Sequence, residues 1–429
     1  MDKILKGIRV IDLSQAYSGP FAAMQLADHG AEVLKVEPLA GEQTRSWGPM
    51  KNGGSAYNAY FNRNKKGIAL DLKTPEGKEA LARLIAGADV VVENFKAGTF
   101  EKLGFSYEKL KEIKPDIIYA QLTGFGLTGP QSGLACYDIV AQAESGLMSV
   151  NGYPENDPVK VGPAIADAIS GLYLAIGIGM ALYRRAATGE GSHVDVAMLD
   201  SLFAMMEHAP LAYSLDGTVL QRTGNRGKSN APWGQYKAKD GFFVIGCGTN
   251  KLWQSFARAM GLDDLADDPD YDQPSKRLAH YDVLTERILA AAKDMTLDEV
   301  EARVTGAGVP FGRVKTIDQV MQSEQLAERN MFWTMYTPGL QTELTMPGTP
   351  IKFEGRSDDQ DKPAPMIGED TDEILALAGY SAEEIADLRA KGVVPVFRTF
   401  FEFRGVVKRK FVDIGYCWGV MPCSMTIIC

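Results

Sequence analysis

The sequence predicts an α/β protein in which a Rossmann-like large domain is interrupted by a smaller α+β domain. Two observations carry this. Across the first 150 residues, short Val- and Ile-rich runs alternate with segments of helical spacing, the pattern of a mostly parallel sheet covered by helices. Beyond about residue 225 the alternation stops, and strand-like runs resume near the C-terminal end. The expected division is a large domain over 1–224, an inserted domain over 225–330, and a return to the large domain over 331–394. With 429 residues, the chain is long enough for two separate cores.

Each element has its own signal. GIRVIDLS reads as the first strand, and GPFAAMQLADHG as a helix stopped by glycine. AEVLKVEP is a strand that ends at Pro38. TPEGKEALARLIAGA is a helix with Thr74 as its cap, Pro75 at its first position and Glu76 in its first turn. DVVVENF is a strand, YEKLKEIKP a helix and DIIYAQLTGFG a strand. No GxGxxG follows the first strand and no GxxxxGK[ST] occurs, so the usual dinucleotide and triphosphate loops are missing. In the middle, FFVIGCG is a strand followed by helical segments to about residue 306, and VPFGRVKT is a strand again. Segment 340–355 is strand-like and 369–391 is a helical pair. The tail 395–429 is aromatic and basic and holds three of the five cysteines. It stands outside this pattern and is expected to be dispensable for activity.

Composition narrows the function. The chain is 45% hydrophobic and 23% charged, with a net charge of −10. That balance suits a soluble protein and disfavours binding to nucleic acid or an anionic membrane, which needs basic patches. The N-terminus turns polar within a few residues and carries no signal-peptide core. Cys136 and Cys247 are isolated, and no histidine pair has ligand spacing, so a reduced, cytoplasmic protein without a metal site is expected.

One stretch stands out: ADAISGLYLAIGIGMALYRR, residues 166–185. Asp167 precedes sixteen residues without formal charge. The uncharged run is too short and too glycine-rich for a membrane span, and a buried core helix is expected instead. Asp167 reads as its N-cap. It also reads as a reactive group, since a carboxylate there is ionised near neutral pH without a base and can attack an activated acyl group.

The ordered stretches LKGIRVIDLSQAYSGPFAAMQLADHGAEVLKVEP, NRNKKGIALDLK, ENFKAGTFEKLG, YDIVAQAESGLMSVNG and GPAIADAISGLYLAIGIGMALYRRAATGEGSHVDVAMLDSL resemble the class III CoA-transferase family, of the formyl-CoA and carnitine CoA-transferase type. The resemblance covers residues 5–394. It implies that Asp167 is the nucleophile, forming an aspartyl anhydride and then an aspartyl-CoA thioester. It implies CoA and acyl-CoA as substrates, a small carboxylic acid as the other substrate, and no permanently bound cofactor. It further implies an interlocked homodimer. For CoA contacts it implies Gln15, Ala16 and Tyr17 after the first strand, and Arg63, Lys65, Leu70 and Lys73. It adds Asn94, Phe95, Lys96 and Lys102, and then Tyr137 and Asp138. Pro38 and Leu39 stand where some relatives carry basic residues.

Two rivals share this resemblance. The related α-methylacyl-CoA racemases place a histidine immediately before the aspartate of the DI motif; here that residue is Tyr137. Racemisation needs two acid/base groups, so transfer is favoured. A non-catalytic CoA-binding paralogue is the other rival, and the intact Asp167 argues against it. The loop TGNRGKSNAPWG, 223–234, is a candidate covering element. Within it, Trp233 is a candidate wall of the acyl pocket, and Arg226 and Lys228 are candidate contacts for an acidic acceptor.

Overall fold

The computed structural model describes residues 3–355, 362–400 and 409–413. They divide into two compact units. One comprises Met1–Ser145, Pro163–Met205 and Glu328–Cys429, and the other Gly146–Gly162 and Met206–Ala327. Segments 146–162 and 206–224, which the sequence pattern placed with the large domain, therefore belong to the second unit.

The first unit is built on six parallel strands. They are β1 (Arg9–Asp12), β2 (Glu32–Glu37), β3 (Lys65–Ala69), β4 (Val90–Glu93), β5 (Ile118–Thr123) and β6 (Ser192–Ala197). Their spatial order is β3-β2-β1-β4-β5-β6. Val10 pairs with both Val33 and Val90 in register. Every residue of β4 and β5 is buried, as expected of parallel strands covered on both faces. On one face Ile11, Leu34 and Val91 pack with Leu81 and Ile85 of the helix α1 (Pro75–Ala86). The C-terminal helices add Ile374, Leu375, Ile385 and Leu388. Thr74 caps α1 by accepting the Gly77 N–H, as its sequence signal predicts.

Strands β3 and β6 had no clear strand signal. Both are edge strands, and an edge strand need not be apolar at every position. β3 opens on two lysines, and alternate positions of β6 are exposed.

Two further helices matter for the site. Ser18–Asp28 follows β1, and Ile165–Thr188 precedes β6. Two glycines let the second helix lie close to its neighbours. A methyl added at Gly171 would sit 2.6 Å from the Ser18 carbonyl oxygen, and one at Gly177 would sit 2.7 Å from Val194. By length and composition Ile165–Thr188 could cross a membrane. One face, with Ser170, Gly171, Leu174, Ile178 and Ala181, is buried. The opposite face is not: Leu172, Ile176, Met180 and Tyr183 are exposed, the last two by 68% and 78%. The expectation of a buried core helix thus holds for half its circumference within this chain.

In the second unit three antiparallel strands, Trp233–Lys237, Phe242–Gly246 and Phe311–Arg313, form a small sheet. Phe243, Trp253, Phe256, Ile288 and Val300 fill the core between it and the helices. Arg226 of the expected covering loop lies over the Tyr281 ring at 4.0 Å. Trp233 begins a strand and is about half exposed. Of the tail, Val396–Phe400 and Arg409–Asp413 pair as antiparallel strands. Cys417, Cys423 and Cys429 lie outside the described residues.

Candidate active site

The sheet order reverses direction between β1 and β4, and the crevice beyond the C-terminal ends of those strands is where open α/β sheets take ligands. Two clefts of about 370 Å³ each lie here, and they share Gln15 and Phe95. The first is bordered by Asp167, Ser18, Asn94, Cys136 and Tyr137. The second is more apolar, with Leu13, Val36, Leu70, Leu72 and Leu103 on its walls and Lys73 at its edge.

The chain turns sharply after β1. Ala16 has φ 65°, a left-handed conformation that a non-glycine residue adopts only when it is held there. Here the buried Glu42 accepts the Ala16 N–H at 3.1 Å. Asn94 clasps the preceding residue, its Oδ1 accepting the Gln15 N–H at 2.7 Å and its Nδ2 donating to the Gln15 carbonyl at 2.8 Å. The turn brings Ser18, at the start of the helix Ser18–Asp28, to the same cleft as Asp167. A helix N-terminus favours negative charge at this point.

Asp167 does not cap its own helix. It sits in the first turn, and the residue before that helix, Ala164, makes no side-chain cap. The cap comes from another segment. Asp138 Oδ1 accepts the Ala166 N–H at 2.7 Å and the Asp167 N–H at 3.4 Å, while its Oδ2 accepts from Gln142. This changes the expected ionisation. Burial and the neighbouring Asp138 charge push Asp167 up to about 7, and the Ser18 donors offset only part of that. It is therefore not fully ionised at neutral pH, contrary to the expectation drawn from an isolated carboxylate.

The sequence pattern of CoA-transferase family III matches residues 5–371. The chain belongs to CoA-transferase family III. It is 36% identical over 366 residues to the acetyl-CoA:oxalate CoA-transferase of Acetobacter aceti, covering 85% of this chain and 92% of that one. It is 34% identical over 400 residues to the human succinyl-CoA:glutarate CoA-transferase, covering 92% and 91%. The crystal structure of a CaiB/BaiF family protein from Brucella suis superposes with a TM-score of 0.78 at 35% identity, covering 88% of this chain and all of that one.

This CoA-transferase brings some of the residues implied by the resemblance to the clefts and withholds others. Gln15, Ala16, Asn94, Phe95, Lys96 and Tyr137 border the first, and Leu70 and Lys73 the second. Tyr17 instead packs among Phe21, Tyr57 and Phe61. Lys102 is exposed on a short helix and borders neither cleft. Arg63 and Lys65 are buried and committed to carboxylates. Arg63 meets Asp28 at 2.7 Å, and Lys65 meets Asp12 at 2.8 Å. Burial draws Lys65 down to about 8, although Asp12 holds it charged. Asp138 is a helix cap, with both oxygens engaged. Sequence reasoning missed Ser18 and Glu42. A serine opening the helix after the first strand, in SGP, was the available sign for Ser18; Glu42 follows β2 without one.

Proposed function

We propose that the enzyme moves CoA from an acyl-CoA donor to a free carboxylic acid through covalent intermediates on Asp167. The observation that carries this is the placement of Asp167. It is a carboxylate at the sheet's switch point, bordering a cleft that the start of the helix Ser18–Asp28 also lines. The apolar second cleft suits the adenine end of CoA, with Lys73 near its phosphates. The first cleft suits the pantetheine arm and thioester.

The steps balance without net proton transfer. The Asp167 carboxylate attacks the donor carbonyl, the C–S bond breaks, and CoA thiolate leaves an acyl-aspartyl anhydride. The thiolate attacks the aspartyl carbonyl, releasing the donor acid as its carboxylate and forming an aspartyl-CoA thioester. The acceptor carboxylate attacks that thioester, expelling thiolate again. The thiolate then takes the new acyl group and frees Asp167. Covalent catalysis divides one hard exchange into easier ones. The start of the helix Ser18–Asp28 lines the same cleft, and its dipole favours negative charge on the aspartyl side.

Covalent capture tests this. With acetyl-CoA or succinyl-CoA alone and hydroxylamine present, a hydroxamate should form on Asp167 and be found by peptide mass. A hydroxamate on Asp138 or Glu93 in its place would refute the assignment.

A second copy of this chain is the proposed cover for the exposed face of Ile165–Thr188. Leu172, Ile176, Met180 and Tyr183 form an exposed apolar stripe at helical spacing, the kind of surface that a protein partner commonly covers. Light scattering at micromolar concentration should give twice the chain mass, and a monomer there would count against it.

A further inference from the structure

One buried carboxylate joins two walls of the first cleft. Gln15 and Ala16 border that cleft after β1, and Gln43 and Trp47 border it from the short helical turn Gln43–Ser46 and the residue after it. Glu42 precedes that turn and is 4% exposed. Its Oε2 accepts the Ala16 N–H at 3.1 Å and the Thr44 N–H at 3.2 Å. Its Oε1 accepts from the Thr44 hydroxyl and from the Asn58 and Asn62 amides, the last two at 3.2 and 3.3 Å. The two backbone N–H groups can only donate, so an ionised carboxylate, which only accepts, suits this place and an amide does not. The two walls also meet directly, with Gln43 Nε2 donating to Gln15 Oε1 at 3.4 Å.

Ala16 does not favour its own conformation. At φ 65° its backbone is left-handed, a state that an L side chain disfavours by roughly five- to thirtyfold. Asn94 clasps Gln15 on one side of this residue, and Glu42 supplies the hold on Ala16 itself. We infer that Glu42 is a positioning residue for the donor cleft, keeping Ala16 left-handed and the turn Gln43–Ser46 beside it so that the Gln15–Ala16 backbone meets the CoA thioester already in place. This rests on the reading of the first cleft as the seat of the thioester and deepens it. Glu42 borders neither cleft and acts through Ala16. A wall set before the substrate arrives spares the cost of ordering it at the moment of binding.

A double-variant comparison reads this coupling. Glu42→Gln keeps the size of the side chain and removes its charge. Labelling of Asp167 by succinyl-CoA in the presence of hydroxylamine should slow about ten- to a hundredfold, with the donor concentration for half-maximal rate raised. Ala16→Gly removes the Cβ that disfavours the left-handed state. Its effect on the labelling rate should be more favourable in the Glu42→Gln background than in the parent, by at least about fivefold. A role confined to stability predicts no such coupling, because the bonds from Thr44, Asn58 and Asn62 are untouched by a change at Ala16. Calorimetric affinity for CoA, measured on the same four proteins, should show the same coupling and does not depend on the identity of the nucleophile. Equal effects of Ala16→Gly in the two backgrounds, in folded protein, overturn the inference, as does a Glu42→Gln variant that labels at the parent rate. If Glu42→Gln does not fold, Glu42→Asp, which keeps the charge and draws it back by one methylene, takes its place under the same criteria. Parent protein labelled elsewhere than on Asp167 would sink the nucleophile, whereas a parent labelled on Asp167 without coupling between Glu42 and Ala16 sinks the positioning role alone.

Discussion

Asp167→Asn should lose CoA transfer by about four orders of magnitude or more and, near pH 8, unfold at a higher temperature than the parent. The first effect follows from removing the proposed nucleophile, since an amide of almost the same shape attacks a thioester poorly. The second follows from the environment of Asp167. Its ordinary value of 3.8 is raised to about 7 in the fold, so the folded state prefers the neutral acid. Below pH 4 the group is neutral in folded and unfolded chains alike and costs nothing. As pH rises from 4 to 7 the unfolded chain releases the proton while the folded chain retains it, and stability is lost. Above 7 that loss is complete. Asparagine never carries the charge and has almost the same shape. The gain should therefore be absent near pH 4 and fully present near pH 8, about 1–3 kcal/mol once the opening to the cleft is allowed for. Such an exchange of stability for activity is common where a site holds a charge in a place that disfavours it. Calorimetric melts at the two pH values, beside a transfer assay, decide both halves. Near-normal turnover would end the covalent reading, and a variant less stable than the parent near pH 8 would end the account of strain at Asp167.

The parts of this fold that could be read from the sequence were those fixed locally. β1, β2, β4 and β5 are largely buried and stand out as short runs rich in Val, Ile and Leu. Thr74-Pro75 announces a helix start that the structure keeps. Asp167 was visible for the same reason, as a lone carboxylate at the head of an uncharged helix. What it lacked was its surroundings. The cap of that helix is Asp138, 28 residues before Ala166, and no local pattern links the two. The helix facing Asp167 begins at Ser18, which comes near only because Gly171 allows close approach. The edge strands β3 and β6 carry polar residues among apolar ones and give no clear strand signal. Charge was the least legible property. NRNKKGIALDLK offers Arg63, Lys65 and Lys73 as equal cationic candidates for a CoA contact, with Lys66 beside them. The fold buries two against Asp28 and Asp12, turns Lys66 to Glu32 and Glu373, and leaves Lys73 by a cleft. Each carboxylate comes from a different segment, so burial and pairing were decided by topology alone.

Arg63→Met separates those two fates of a cation most sharply. Arg63 is 1% exposed, and Asp28 beneath it is fully buried. Nε and Nη2 of Arg63 donate to both Asp28 oxygens, with Nη2 at 2.7 Å. The guanidinium also lies over the rings of Tyr60 and Trp333, at 4.7 and 5.0 Å. Methionine fills much of the same space and can keep the ring contacts, but among the described residues it leaves Asp28 buried with the Asn64 amide as its remaining side-chain donor. Removing one partner of a buried pair costs about 3–5 kcal/mol, because the remaining charge is stranded in a poorly polarisable interior. Against a total stability of about 5–15 kcal/mol, that is enough to cut soluble yield and lower the melting temperature strongly. Replacing both residues, as Arg63→Met with Asp28→Leu, removes the stranded charge and should recover most of the loss. The protein that does fold should bind CoA as before, since Arg63 borders neither cleft. Denaturant melts and the donor KM of the two variants distinguish the roles. A single variant that melts like the parent but needs far more acyl-CoA would return Arg63 to the CoA site and show that its pairing with Asp28 gives way when the substrate binds.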